Sequence, residues 1–269
     1  MRCFRVDMRA SAAACLLRGL KLIAEHQGAD AGGKTGGKTD DKAADKTGAD
    51  GKATIVGIVR FNGVRPIRKP LRLIEKGGKR SDCHKLHTTD LLDESRLVSE
   101  KGEVANVFVY VKKGIEKKSY PLPEKPAVLN QDKCMFRPRV QCIRVGQEFV
   151  MRNSDPLTHN VRAFARRNRA VNVAKTPNTR DRTRKFTAGE RAVKIQCDIH
   201  PWMTAYYFVM EHPYFAVTNE KGQFKIRGLA AGEYTLVAWH EEFGEQEVKI
   251  TVAATGSTDV EFSFEDKAR

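Results

Sequence analysis

The sequence predicts an all-β protein, built as two sandwiches in one chain. Three observations carry that reading. Short runs alternate apolar and polar residues and are rich in β-branched and aromatic side chains, as in Ala105-Asn106-Val107-Phe108-Val109-Tyr110-Val111. Gly and Pro interrupt these runs at short intervals, which is the rhythm of antiparallel strands joined by tight turns. Helical periodicity is weak everywhere except between Ala10 and His26. Hydrophobic residues make up 41% of the 269, enough for packed cores, although the first fifty contribute little.

The elements follow in order. Arg2, Arg5 and Arg9 precede an apolar run from Ala10 to Leu17, the arrangement of an export signal, but Arg18 and Lys21 cut that run short. An export signal and a leader without a fold of its own both remain open. No apolar run approaches the ~20 residues of a membrane-spanning helix. From Gly28 to Lys52 the chain is small and charged with no aromatics. Such a segment cannot bury enough surface to offset its chain entropy and reads as a flexible tether. Its Gly-Gly-Lys-Thr repeats lack the flanking strand and helix that a phosphate loop needs. Leader and linker therefore occupy residues 1–52.

A first domain is expected over residues 53–211. Thr54 to Phe61 forms a strand that ends at the turn Asn62-Gly63. Further strands are expected at Val140 to Val145, Glu148 to Asn153, Val161 to Phe164, Ala192 to Gln196 and Thr204 to Met210. A second domain is expected over residues 212–265. There Phe215 to Thr218 and Gln223 to Ile226 flank a hairpin turn ending at Gly222, and Leu229 to His240, Glu247 to Val252 and Val260 to Phe264 supply three more strands. Residues Ile58 to Gly63 have a similar character, so residues 53–80 are assignable to either unit.

Chemistry concentrates in Cys197-Asp198-Ile199-His200-Pro201-Trp202-Met203, where a thiol, an imidazole and a thioether stand three residues apart. A second imidazole, His159, lies upstream in Asn153-Ser154-Asp155-Pro156-Leu157-Thr158-His159-Asn160-Val161. Two imidazoles, one thiolate and one thioether form the ligand set of a mononuclear blue-copper electron-transfer site, with a weak axial Met. A loop between adjacent strands can gather Cys197, His200 and Met203 around one point, and His159 completes the set from another strand. The same donors would hold zinc tetrahedrally. Taken singly, Cys197 reads as a buried structural thiol and each His as an ordinary core or surface residue. Their joint spacing is what sets them apart.

The pair Pro156-x2-His159-Asn160-Val161 and Cys197-x2-His200-Pro201-x-Met203, with the approach strand Gly146 to Asn153 and a 38-residue step from His159 to Cys197, resembles the cupredoxins, amicyanin and plastocyanin in particular. With His212-Pro213-Tyr214-Phe215-Ala216-Val217-Thr218 included, it is similar to methylamine-utilisation-like multidomain bacterial proteins. The resemblance covers residues 130–210. It implies a Greek-key sandwich holding one type 1 copper, with His159, Cys197 and His200 equatorial, Met203 axial, and Asn160 tying the two ligand loops together. The run Thr218-x3-Gly222-x-Phe224-x-Ile226-x-Gly228-Leu229-x2-Gly232-x-Tyr234-x-Leu236 resembles the carboxypeptidase-regulatory or transthyretin-like sandwich, which names a fold and no chemistry.

The implied function is a one-electron carrier and not an enzyme. The loop holds no second Cys for a binuclear purple centre, and no His-x-His pair exists for a trinuclear cluster. The alternative is a cell-envelope binding or structural module whose copper is vestigial or stored. Of the six cysteines (Cys3, Cys15, Cys83, Cys134, Cys142, Cys197) none forms a C-x2-C pair. Cys83 and Cys134 sit in polar loops and would pair as a disulfide if the chain is exported, to the periplasm, the cell envelope or the extracellular space. The rival is a metal site at Cys83-His84-x2-His87. Cys142 reads as a buried thiol, His212 and His240 as structural, and Trp202 as a shield over the centre.

A formal net charge of +15 favours an acidic partner. Residues 160–187 hold nine Arg or Lys against the single acid Asp181, which suits either a solvated loop or a docking surface for an acidic redox partner. Base-stacking aromatics are not interleaved with these charges, so nucleic acid is not the expected partner. Nothing in the sequence indicates an oligomeric state.

Overall fold

The computed structural model describes residues 53–266, and the expected leader and linker lie outside these described residues. Among them the protein is all-β, with one short 3-10 turn at Asp82–Leu86. The strands are β1 (Ala53–Asn62), β2 (Phe108–Lys113), β3 (Ala127–Asp132), β4 (Met135–Arg137), β5 (Val140–Arg144), β6 (Glu148–Asn153), β7 (His159–Ala163) and β8 (Val171–Lys175). They continue as β9 (Arg182–Lys185), β10 (Glu190–Gln196), β11 (Thr204–Met210), β12 (Phe215–Val217), β13 (Gln223–Leu229), β14 (Gly232–His240), β15 (Gly244–Val252) and β16 (Gly256–Glu265).

One sandwich packs the sheet β5-β11-β10-β7-β8 against the sheet β4-β3-β6-β9. Period-2 alternation decides which side chains enter it. Val193, Ile195 and Cys197 from the β10 side and Ala205, Tyr207 and Val209 from β11 point inward, meeting Leu129, Phe149 and Met151 of the facing sheet. The opposite face of β11 is also apolar. Tyr206, Phe208 and Met210 pack outward onto a second sandwich, where Phe208 stacks on Phe108 at 3.9 Å and Trp239 touches both Tyr206 and Phe208 at 5.1 Å. A strand buried on both faces reads as the nearly unbroken apolar run Ala205 to Met210.

The second sandwich packs β13-β1-β16 against β12-β2-β14-β15. Here the structure departs from a division at residue 211. β1 runs parallel to β16 from Ala53↔Gly256 to Asn62↔Glu265, and β2 lies between β12 and β14. The first sandwich is therefore an insertion between β2 and β12. Ile55, Val59 and Val109 need an apolar layer, and Phe224, Leu236 and Phe262 of the C-terminal strands provide it. Local pattern shows that β1 and β2 are strands but not which distant strands they pair with.

β3, β4, β8 and β9 were not expected from the sequence. β8 and β9 fall inside the basic stretch 160–187, which is therefore not one loop. All four side chains of β9 are exposed, and it pairs only with β6, from Glu148↔Lys185 to Met151↔Arg182. An edge strand with charge on both faces has no apolar alternation to read, and the charge discourages further strands from adding to it. Between the sandwiches, Arg139 grips Glu241 through two hydrogen bonds, the second of 2.7 Å, with side chains only 7% and 4% exposed.

Candidate metal centre

The loop from β10 to β11 folds on itself through two backbone bonds, Cys197 N–H to the Met203 carbonyl (3.2 Å) and Met203 N–H to the His200 carbonyl (2.9 Å). That closure gathers Cys197, His200 and Met203 at one end of the first sandwich. His159 opens β7, which is hydrogen-bonded beside β10. The two Nδ1 atoms of His159 and His200 stand 2.8 Å apart, and Cys197 Sγ is 3.8 Å from His200 Nδ1. All three donor atoms lie within 4.8 Å of one another. Each of the three residues is at most 2% exposed, and Met203 is fully buried in the same core.

Asp155 fixes which nitrogen of His159 faces inward. Its buried carboxylate accepts hydrogen bonds from Lys133 N–H (2.6 Å), Cys134 N–H (2.7 Å) and His159 Nε2 (2.8 Å). A carboxylate only accepts, so Nε2 carries a hydrogen and Nδ1 is the nitrogen turned toward His200. Two imidazole nitrogens at this separation can share either one proton or one cation. Sequence reasoning missed Asp155. Its partners come from a turn more than twenty residues upstream, where Lys133 and Cys134 both take positive φ (51° and 54°) and aim their N–H groups at it. A carboxylate four residues before a candidate ligand was the only local signal.

Asn160 joins the two ligand segments. Its backbone N–H donates to Cys197 Sγ at 3.4 Å, its amide oxygen accepts the Asp198 N–H, and its amide nitrogen donates to Asp198 Oδ2 (3.1 Å) and Asn172 Oδ1 (2.8 Å). The His200 N–H also reaches Cys197 Sγ, at 3.4 Å. Burial pushes the Cys197 thiol up, yet hydrogen bonds from His159, His200 and these two backbone N–H groups outweigh it and bring the pKa down to about 6. Burial likewise opposes charge on His159, but Asp155 and Cys197 raise its pKa overall. The pocket is thus built for a thiolate beside imidazoles, the form in which cysteine binds a metal. A soft sulfur with two imidazoles and a thioether suits copper or zinc and does not suit magnesium or calcium.

A segment without strands covers this end of the sandwich. Leu73 and Leu86 pack into the core, Lys76 N–H donates to the Ile199 carbonyl (3.1 Å), and Glu75 Oε1 stands 3.7 Å from His200 Nε2. Cys83 and Cys134 are joined as a disulfide, anchoring the segment to the β3–β4 turn. Trp202 donates from Nε1 to the Cys134 carbonyl (3.1 Å) and lies 5.1 Å from the His200 ring. The rival metal site is not assembled: Cys83 is consumed in the disulfide, His84 bonds the Ser81 carbonyl, and His87 bonds the Lys133 carbonyl. Cys142 is a free thiol, only partly buried as a residue, although burial around its sulfur pushes its pKa well up. His212 and His240 each accept hydrogen bonds from nearby backbone and lie away from the donor cluster.

Residues 210–265 match the family model of the carboxypeptidase regulatory-like domain. No curated protein matches the chain in sequence. Among solved structures, the chain is similar to the Cu-containing nitrite reductase of Thermus scotoductus SA-01, at 19% identity over 37% of this chain and 26% of that one, with a TM-score of 0.31. It spans about a quarter of that enzyme's length. It is also similar to a purple cupredoxin from Nitrosopumilus maritimus, at 20% identity over 31% of this chain and 99% of that one (TM-score 0.27). A variant of amicyanin in its reduced Cu(I) form aligns at 16% identity over 38% and 98% of the two chains (TM-score 0.29).

Proposed function

We propose that this chain is a mononuclear type 1 copper protein that carries single electrons between proteins, a carrier rather than an enzyme. The observation that carries the reading is the convergence of two imidazole Nδ1 atoms and a stabilised thiolate in a buried pocket, with Met203 in the same core. Copper, when bound, supplies the one-electron couple. The residues do the rest. Asp155 holds the His159 ring with Nδ1 inward, the Asn160 and His200 N–H groups keep the sulfur as thiolate, and apolar packing excludes water. Held this firmly, the donors have little to rearrange between oxidation states. The disulfide favours an oxidising compartment, the periplasm or cell envelope. A strongly basic chain favours an acidic redox partner.

The test is a titration of the metal-free protein with Cu(II). One equivalent should give an intense visible charge-transfer band from the thiolate, abolished in Cys197→Ser and retained in Cys142→Ser. Copper uptake without colour would favour a storage site, and colour surviving the loss of Cys197 would refute the ligand set.

A further inference from the structure

His200 is covered in this protein. Its side chain is 3% exposed, beneath the segment that carries Glu75 and Lys76. The other approach is through the sheet that bears the ligands. The outer face of β11 and β5 is covered by the second sandwich, but the outer face of β10 and β7 is open. A groove of about 740 Å³ runs there, lined by Phe164, Arg166, Arg191, Lys194 and Gln196. Gln196 is the residue before Cys197. Across the sheet it faces Arg162, whose guanidinium lies 4.8 Å over the exposed Phe164 ring.

The positive charge of this groove is displayed by construction. The carboxylate of Glu190 accepts the backbone N–H groups of Arg166, Arg167 and Asn168, and Asn168 Oδ1 accepts those of Thr187 and Ala188. The loop is thereby held with Arg166, Arg167 and Arg169 facing solvent. The acids nearby are already engaged: Glu190 by that loop, Asp198 by Asn160 and Arg162, and Glu245 by Arg191 at 3.6 Å. Among the described residues, Arg166 and Lys194 make no ion pair.

We propose that the open β7–β10 face is the docking surface for an acidic segment of a partner protein. Carboxylates would pair with Arg166 and Lys194, an apolar side chain would rest on Phe164, and the partner's donor would lie against Gln196, one residue from the thiolate. The proposal rests on the electron-carrier reading: one electron leaves the partner and the centre is reduced by one, with no bond made or broken. It differs from a general appeal to positive charge, because it leaves out the equally basic strand β9, on the edge of the other sheet. Two of its residues, Arg191 and Lys194, lie outside the basic stretch visible in the sequence.

The test uses a fluorescently labelled octaglutamate peptide and the metal-free protein with its disulfide intact, read by anisotropy. The double variant Arg166→Glu, Lys194→Glu should bind the peptide about tenfold more weakly at low salt, and the gap should shrink as screening increases. Arg182→Glu, Arg184→Glu changes net charge equally and should weaken binding less than about twofold, because those residues lie outside the groove. Equal losses in both variants would overturn the proposal in favour of diffuse attraction. Equally tight binding of octathymidylate, weakened alike by the groove variant, would overturn it in favour of a general polyanion site. The peptide arm needs no copper. Protein that binds the peptide yet gives no coloured copper site would sink the carrier reading and leave the surface standing, and the reverse result would sink the surface alone.

Discussion

At the scale of single residues, the proposed centre gives Met203 and Asp155 different roles. A thioether in a type 1 site is a weak axial donor, so Met203→Leu should retain copper and its colour while the reduction potential rises, as read by redox titration. Loss of copper binding in that variant would show that Met203 is an essential ligand and not an axial one. Asp155 is not in the proposed ligand set, but it fixes the ring of a candidate donor, His159. Asp155→Asn leaves the shape and removes the charge that holds Nε2–H and two backbone N–H groups, so copper affinity should fall about 10–100-fold in a competition titration with a chelator. Unchanged affinity would make Asp155 a fold residue only. The contrast explains what was legible here. Cys197, His200 and Met203 could be read because three donors of fixed spacing share one loop. Asp155 could not, because its role depends on two N–H groups that a distant turn delivers.

At the scale of elements, the decisive feature is the strandless segment over the centre. Its order rests on a few backbone bonds, such as Leu71 N–H to the Leu91 carbonyl and Lys76 N–H to the Ile199 carbonyl, and on the Cys83–Cys134 link. That link closes a loop with a sequence separation of 51, worth about 4 kcal/mol in the chain-entropy account. Replacing both cysteines by alanine should lower unfolding stability by about that amount in guanidinium titrations. It should also speed copper removal by a chelator, because Glu75, Lys76 and Trp202 are held over His200 through the same anchor. Lowered stability with unchanged copper release would mean that the cover stays seated without its pin. Polar loops around Cys83 and Cys134 made the pairing readable. The cover itself was not, since a segment without alternation gives no sign of what it lies on. The same physics hid β9, whose Arg182-Thr183-Arg184-Lys185 has no apolar face at all.

At the scale of the molecule, the two sandwiches meet through an aromatic layer and through the buried Arg139–Glu241 pair, and two histidines, His212 half-buried and His240 buried, flank that junction. His212 lies in the connection from β11 to β12, and His240 ends β14 with its ring stacked on Phe243 at 4.3 Å. Burial first, and then the positive charges of Arg144 for His212 and of Arg139 and Arg96 for His240, bring their pKa values down to about 4 and about 3. Both are therefore neutral when folded across a range where the unfolded chain takes up protons. Their contribution to stability is complete above the unfolded value near 6.5 and is lost as pH falls toward 4, at up to ~1.4 kcal/mol per pH unit for each ring. Glu241 works the other way: burial raises its carboxyl above the ordinary range despite Arg139, so the folded state takes its proton earlier and offsets part of the loss. The histidines outnumber it. Chemical denaturation of the metal-free protein should thus show stability declining between pH 6.5 and 4, and His212→Asn with His240→Asn should flatten that decline while the backbone N–H groups at Tyr214 and Phe243 keep an acceptor. An undiminished slope in the double variant would place the acid sensitivity elsewhere than the junction between the sandwiches.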